Sequence, residues 1–227
     1  MKETFRRFEK KYLLTEQQYQ MLLEKLKDYV EPDKFYESKI RSIYYDNERF
    51  EMIRRSIEKP EYKEKLRIRS YDEAADDDMV FVEFKKKLDG IVYKRRTKAR
   101  CADVINDIYT ADFVDEQIGN EIKYALNYYG KVKPAVYIGC TRTSYVGKQD
   151  KRLRITFDRD IAFRMKDLSL RSDKNDKAVT EMTVMELKIP EAMPLWLTQI
   201  LDELKVYPHS FSKVGTAFLS EVRRINL

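Results

Sequence analysis

The sequence contains very little histidine and cysteine. Its 227 residues include one histidine, His209, and two cysteines, Cys101 and Cys140. One histidine excludes a histidine-rich metal site, and the cysteine positions show no spacing typical of zinc or redox motifs. We therefore predict that both thiols are reduced and buried, and that His209 lies in a loop after Pro208 and takes no part in a catalytic triad.

Long apolar runs are also missing. No stretch of about 18 apolar residues occurs, and none follows Met1, so neither a spanning helix nor a signal peptide is expected. We predict a cytoplasmic location on this basis. Charged residues make up 37% of the chain, yet the net charge is only +6, so the placement of the charges has to identify the partner.

The pattern of apolar residues predicts one α+β domain over residues 1–227. Thr15 and Gln18 form the signature of a capping box before a helix, and Asp89-Gly90 is typical of a hairpin turn. We expect a closed eight-stranded antiparallel barrel with helices packed outside. The predicted strands span residues 5–14, 39–45, 63–71, 79–88, 91–99, 135–145, 152–163 and 183–189.

Charged and apolar residues alternate on most of these strands. In one of them Lys65, Arg67 and Arg69 share a face, and Leu66 and Ile68 share the other. A single strand of this kind usually has one face on the core and one in water. Agreement among many strands, together with helices that need an apolar surface to cover, favours charged faces that line a hydrated interior.

The cations expected on these inward faces outnumber the acids, which favours a polyanion as the guest. The cations are Arg67, Arg69, Lys85, Lys87, Lys94, Arg142, Arg154 and Lys188, against Glu9, Glu83, Asp158 and Glu186. Phosphate chemistry also needs a hard cation such as Mg²⁺ or Mn²⁺, which prefers carboxylate oxygen. Glu186 is the best candidate ligand, whereas the other three acids are expected to position neighbouring cations.

Short motifs in one order along the chain resemble the polyphosphate polymerase domain of the vacuolar transporter chaperone family. Each motif is weak alone, and the set covers nearly the whole sequence. The motifs are Glu9-Lys10-Lys11-Tyr12, Tyr44-Tyr45-Asp46-Asn47, Arg67-Ile68-Arg69, Val82-Glu83-Phe84-Lys85, Lys94, Arg142, Arg154-Ile155-Thr156-Phe157-Asp158, Met185-Glu186-Leu187-Lys188 and Phe211-Ser212-Lys213.

The resemblance implies a triphosphate tunnel fold and an enzyme that transfers the γ-phosphoryl group of ATP to a growing polyphosphate chain. Mn²⁺ or Mg²⁺ would be the cofactor, held by Glu186, and ATP and polyphosphate would be the partners. No nucleic acid and no membrane segment are expected. By the same resemblance the residues contacting phosphate would be Lys11, Arg67, Arg69, Lys85, Lys94, Arg142, Arg154, Ser212 and Lys213, with Lys87 and Lys188 added from their positions on the strand faces.

Two other functions remain open. Related triphosphatases open with Glu-x-Glu-x-Lys, whereas Arg7 replaces the first acid here, which favours the polymerase. A basic module that binds a polyanion without catalysis is the second alternative, since 16 tyrosines could interleave with basic residues.

Overall fold

A computed structural model describes residues 8–58, 60–89 and 91–225, the last three without their side chains. The element order is β1 (Phe8–Leu14), α1 (Glu16–Leu26), β2 (Val30–Asp46), α2 (Glu51–Glu58), β3 (Tyr62–Tyr71), β4 (Met79–Leu88), β5 (Ile91–Arg100), α3 (Cys101–Asn106), α4 (Glu116–Asn127), β6 (Lys133–Gly147), β7 (Arg154–Arg164), β8 (Lys177–Ala178), β9 (Thr183–Ile189), α5 (Leu195–Glu203) and α6 (Lys213–Ile225).

The strands form one nine-stranded sheet in the order β1-β9-β7-β6-β2-β3-β4-β5, with β8 paired to β7. The registered pairs of neighbouring strands are antiparallel. In the described residues the path ends at β1 on one side and β5 on the other. The expected antiparallel sheet with helices is therefore confirmed, whereas the expected closed eight-stranded barrel is wrong, because the two terminal strands do not pair.

The chain divides into two compact units, each made of several segments. Unit 1 comprises the described residues of 8–38, Cys140–Ile161 and Thr180–Phe211. Unit 2 comprises those of Lys39–Gly139, Ala162–Val179 and 212–225. The strands β2, β6 and β7 each contribute residues to both units. Whether the units make the single domain expected from the sequence stays a prediction.

Unit 1 has its own apolar core, on which α1 and α5 pack. The capping box forms: Gln18 N donates to Thr15 Oγ1 at 3.2 Å, and Thr15 N donates to Gln18 Oε1 at 3.1 Å. The buried side of α1 then brings Tyr19 against Phe157 of β7, with ring centroids 5.1 Å apart and planes inclined at 65°. Burial of such rings and of leucines on α1 is worth roughly 1.5–3 kcal/mol per side chain, which fixes the helix on the sheet.

Unit 2 has a second core beneath β3, β4 and β5. The apolar faces of these strands meet α3 and α4, and Ile68, Val82 and Ile122 are fully buried among them. Asp46, at the end of β2, is buried and accepts hydrogen bonds from Met52 N (3.0 Å) and Ile53 N (2.7 Å) at the start of α2. Asp46 of the Tyr44-Tyr45-Asp46-Asn47 motif therefore has a structural role, because it anchors the chain where β2 leads into α2.

Candidate functional site

The face of β3, β4 and β5 opposite the core of unit 2 is strongly basic. Register fixes its rows, because directly paired residues project to the same side of a sheet. Lys65 pairs with Lys85, which pairs with Lys94; the next row is Arg67, Glu83 and Arg96. We call this surface the cation face, and its ten cations are Lys63, Lys65, Arg67, Arg69, Lys85, Lys87, Lys94, Arg96, Lys98 and Arg100.

Glu83 is the one carboxylate at the described positions of the cation face. It is 3% exposed, and four cations approach it: Arg67 at 2.7 Å, Lys94 at 2.5 Å, Arg96 at 3.3 Å and Arg69 at 4.0 Å. Burial would raise the pKa of Glu83, but the charges of Arg67, Arg69 and Lys94 outweigh it and lower the pKa to about 2. Glu83 therefore stays ionised and holds the cations in place, and it cannot neutralise all of them.

Tyr44 of β2 adds a buried hydroxyl to this surface. It lies directly opposite Arg67, whose Nη1 donates a hydrogen bond of 3.0 Å to the Tyr44 hydroxyl. Burial would raise the pKa of this phenol, yet the charges of Arg67, Lys65 and Arg69 lower it to about 7. So strong an effect on a neutral side chain shows how positive the potential is at this point.

The start of α6 contributes Ser212 and Lys213, both partly buried. Lys65 Nζ donates to Ser212 Oγ at 3.2 Å, and Ser212 Oγ accepts from Gly215 N at 3.3 Å. The serine therefore caps the helix and also contacts a lysine of the cation face. The structure thus brings Ser212 to the predicted basic residues Arg67, Arg69, Lys85, Lys87 and Lys94 within unit 2.

Unit 1 carries a second charged face, on β1, β9 and β7, with a different composition. Lys11 pairs with Glu186, and Glu9 pairs with Lys188, so charges of opposite sign alternate across the strands. Lys188 Nζ lies 3.2 Å from Glu186 Oε1, and Lys11 Nζ also donates to the Phe211 carbonyl at 3.1 Å. Arrangements of this kind neutralise most of the charge locally.

Glu186 is largely buried, and its charge is strongly stabilised. Burial would raise its pKa, but a hydrogen bond with Glu9 and the charges of Lys188, Lys11 and Arg142 hold the pKa well below the usual range. We call Glu9 and Glu186 the carboxylate pair. Two carboxyl groups in contact need a shared proton or a cation between them.

The remaining predicted cations of unit 1 form ion pairs. Arg142 donates two hydrogen bonds to Asp158, from Nε at 2.6 Å and from Nη2 at 2.7 Å, in the bidentate geometry typical of strong pairs. Arg154, which is half exposed, lies 3.5 Å from Asp33. Asp158 thus pairs with Arg142, whereas its role as a supporting acid of the site stays a prediction, and Asp33 is a partner that the sequence patterns did not reveal.

The donor set of unit 1 fits the Mg²⁺ or Mn²⁺ expected from the sequence. In the described part of the chain, no three or more His, Cys, Asp or Glu side chains gather at a metal site. The carboxylate pair nevertheless lies beside Thr156, which is opposite Glu186 in register and whose buried hydroxyl has no hydrogen-bond partner among the described atoms. Mg²⁺ commonly uses one or two carboxylates and takes its other ligands from water and phosphate.

Several residues of these faces were not predicted as site residues, among them Tyr44, Arg96 and Thr156. These three lie opposite predicted residues, namely Arg67, Glu83 and Glu186. The signal that could have found them is strand register, which alternation within one strand does not provide. The prediction that depended on Arg7 lies outside the described residues.

Both cysteines are free and buried, as predicted. Every helix in the described residues is too short or too polar to cross a bilayer.

Comparison with protein-family models gives a match to the VTC domain over residues 6–221. Comparison with curated proteins gives no significant match. The family match covers nearly the whole chain, including both charged faces.

Comparison with solved structures gives similarities at low identity. A candidate adenylate cyclase from Bacillus halodurans is similar with a TM-score of 0.56 and 13% identity, over 90% of this chain and 92% of that one. A protein from Pyrococcus horikoshii OT3 has a TM-score of 0.48 and 15% identity, over 95% and 99% of the chains. A Hippeastrum candidate adenylyl cyclase described as having a dominant triphosphatase activity has a TM-score of 0.48 and 14% identity, over 92% and 93%. Only the first likeness is strong enough to compare folds, and none assigns an activity.

Proposed function

Because the chain belongs to the VTC domain family, as its motifs predicted, we propose that it is an enzyme acting on triphosphates. More specifically, we propose a polyphosphate polymerase that transfers the γ-phosphoryl group of ATP to the end of a polyphosphate chain. The observation that carries the proposal is the cation face, where ten lysines and arginines lie on the same side of the sheet and Glu83 is the one carboxylate at the described positions. Such an excess of positive charge favours a ligand with several negative charges.

The proposed reaction needs no protein nucleophile. The terminal oxygen of the polyphosphate chain forms a bond to the γ-phosphorus, and the bond from that phosphorus to the β–γ bridging oxygen breaks. ADP leaves with the bridging oxygen. Positioning and charge stabilisation account for most of the catalysis in phosphoryl transfer.

The cation face supplies this stabilisation through guanidinium and ammonium groups already held in place. Arg67 is oriented by Glu83 and Tyr44, so little reorganisation is required when charge develops on the transferring group. Lys65, Lys85 and Lys94 form one row across three strands, which suits successive phosphates of a chain. The carboxylate of Glu83 repels phosphate from its immediate position and holds the neighbouring cations in place.

Glu186, with Glu9 and the Thr156 hydroxyl beside it, would hold the metal in unit 1. A bound Mg²⁺ or Mn²⁺ neutralises negative charge on phosphate oxygens. The low pKa of Glu186 keeps it ionised and ready to bind a cation throughout the physiological range. Lys188 and Lys11 lie beside Glu186 and balance part of the carboxylate charge.

The test is an analysis of products. The purified protein is incubated with ATP and Mn²⁺, and the products are separated on a gel that resolves polyphosphate by length. A ladder of polymers with ADP in matching amount supports the polymerase. Release of free phosphate alone would instead identify a triphosphatase, and unconsumed ATP would identify a binding module without catalysis.

A further inference from the structure

The chemistry of the cation face changes toward the end of β3. Along β3 the side chains on this face are Lys65, Arg67, Arg69 and then Tyr71. On the antiparallel strand β4, Phe81 and then Met79 lie toward the same end. At this end, aromatic and thioether side chains thus lie beside the cations Lys98 and Arg100 on the same surface. Tyr71 and Met79 are each 51% exposed, so apolar area is available to a ligand at this end.

The aromatic residues are held as a cluster. The rings of Tyr71 and Phe81 meet edge to face with centroids 5.9 Å apart. The Arg96 guanidinium lies 3.6 Å from the Phe81 centroid, and its Nη2 donates to the Tyr71 hydroxyl at 3.4 Å. Because Arg96 also contacts Glu83 at 3.3 Å, the cluster is joined directly to the residues proposed to hold phosphate.

Planar aromatic and guanidinium groups beside a basic surface are the groups on which nucleobases stack. Residues two apart on a strand are separated by about 6.8 Å, so Tyr71 lies about 13 Å along β3 from Arg67. A ribose and a triphosphate span a distance of this size. A nucleotide whose base contacts Tyr71 would therefore place its phosphates on the rows of Arg67 and Lys65.

The charge beyond the cluster gives the ligand a direction. The loop that follows Tyr71 contains Glu73 and three successive aspartates, Asp76, Asp77 and Asp78. Asp77 pairs with Arg100 at 2.6 Å, which neutralises the last cation of the face. Phosphates are repelled from this acidic end, whereas a neutral base is not, so the phosphates point toward Lys65 and Lys85.

We infer that Tyr71, Phe81 and Arg96 form a nucleobase subsite that lets this chain distinguish a nucleoside triphosphate from an inorganic triphosphate. The inference rests on the proposed function, because it assumes that the cation face binds the phosphates of a substrate. The inference concerns the base of the substrate, which contacts to phosphate alone do not select. The subsite selects for a planar base through stacking, and it carries no requirement for one particular base.

The experiment measures equilibrium binding of ATP and of inorganic tripolyphosphate by calorimetry, without metal, for the parent and for variants. In Tyr71→Ala we expect ATP affinity to fall about tenfold, the lower end of the loss usual for a stacked base, with tripolyphosphate affinity unchanged within about twofold. Tyr71→Phe keeps the ring and should retain the parent's ATP affinity. Tyr93→Ala is the matched control, because Tyr93 is 57% exposed and lies on the opposite face of the same sheet.

Equal losses for both ligands in Tyr71→Ala, or no loss for ATP, would overturn the nucleobase subsite. Phe81→Leu provides a second variant that conserves apolar volume, and the same selective loss is expected there. The result is independent of turnover. If Tyr71→Ala selectively loses ATP affinity but the parent makes no polymer, the proposed polymerase fails and the nucleobase subsite stands. If the parent makes polymer from ATP but Tyr71→Ala keeps its ATP affinity, the nucleobase subsite fails and the polymerase stands.

Discussion

The charged faces of the two units differ in how far carboxylates of the same unit neutralise their cations. In unit 1, Arg142 is paired with Asp158, Arg154 with Asp33 and Lys188 with Glu186. In unit 2, the cation face carries ten cations and the one carboxylate of Glu83 at its described positions; four of the cations approach Glu83, and Arg100 pairs with Asp77. The first face is nearly balanced, and the second is positive.

From this difference we propose different ligands for the two faces. The face of unit 1 is nearly balanced in charge and carries the carboxylate pair beside the Thr156 hydroxyl, which has no hydrogen-bond partner among the described atoms. Such a face suits a small cation, because its positive charge stabilises two neighbouring carboxylates. A face with excess positive charge is relieved by a polyanion. The proposed function therefore divides into metal binding in unit 1 and phosphate binding in unit 2, and variants of each unit should have separable effects.

The largest effect is expected for Arg67→Ala in unit 2. The change removes a guanidinium bonded to both Glu83 and Tyr44 at the centre of the cation face. An arginine that stabilises a transferring phosphoryl group can contribute about 10³–10⁵ in rate, so ATP turnover should fall at least about a thousandfold. Steady-state ADP release measures it, with circular dichroism to verify folding.

The matched control for Arg67→Ala is Arg95→Ala. Arg95 lies on β5 but on the opposite side of the sheet, where it pairs with Glu121 at 2.8 Å. Surface pairs of this kind contribute little, so turnover should stay within about twofold of the parent. Near-normal turnover in folded Arg67→Ala would show that the cation face is not where phosphate reacts.

The second effect concerns unit 1. Glu186→Gln removes the ionised member of the carboxylate pair and leaves the cation face of unit 2 intact. We expect metal-dependent turnover to be lost, whereas ATP affinity measured by calorimetry without metal should change by less than about threefold, because the phosphate contacts persist.

Glu191→Gln is the control for the metal, since Glu191 is an exposed acid of the same unit paired with Arg152. It should require the same Mn²⁺ concentration for half-maximal activity as the parent. If Glu186→Gln also shows an unchanged Mn²⁺ requirement, Glu186 is not the metal ligand.

The third effect is on stability in acid. The pKa of Glu83 is about 2 in the folded state, below its ordinary value of 4.5. A lowered pKa contributes stability that is complete above about pH 4.5 and is lost as the pH falls toward 2, here about 3 kcal/mol for a buried group. Urea unfolding at neutral pH and near pH 3 should show more than half of this loss in the parent, and a smaller loss in Glu83→Gln, which already lacks the charge at neutral pH. Equal acid losses in both proteins would contradict the pairing.

The smallest effect is spectroscopic. Tyr44 has a pKa of about 7, below its ordinary value of 10, so its phenolate should form near neutral pH. Phenolate stabilisation contributes to folding stability above pH 10 and is lost as the pH falls to about 7. Ultraviolet absorbance should therefore reveal one phenolate near pH 7 that is absent from Tyr44→Phe, and tripolyphosphate should move its titration upward. A parent without phenolate absorbance below about pH 9 would refute the strongly positive potential of the cation face.

Local patterns in the sequence predicted much of the fold. The bounds of β4, Met79–Leu88, and the capping box of Thr15 follow from residues adjacent in sequence, since alternation and side-chain capping are local. The start of β2 was missed, because Val30–Ser38 contains Pro32 and several polar residues, and its strand conformation depends on pairing with other strands. Closure of the barrel was wrong for a similar reason: alternation places side chains on a face but does not choose a partner for a terminal strand.

For the candidate site, local patterns predicted which residues of one strand share a face, but not which residues of neighbouring strands lie opposite them. Period two correctly grouped Lys65, Arg67 and Arg69 on one face, because a single strand determines that grouping. The contacts of Glu83 with Arg96, and of Arg67 with Tyr44, depend on which residues lie opposite one another, and that is set by tertiary register. The roles of all these residues in binding and catalysis stay predictions.

The most direct test of the excess charge in unit 2 is the melting temperature with and without inorganic tripolyphosphate at low salt. A ligand that binds only the folded state adds about 2.7 kcal/mol at 100 times its dissociation constant, so the melting temperature should rise by several degrees. Added salt should diminish the rise, and Lys213→Ala, a change in unit 2, should weaken it. A melting temperature that tripolyphosphate leaves unchanged at low salt would contradict polyanion binding, and the proposed enzyme with it.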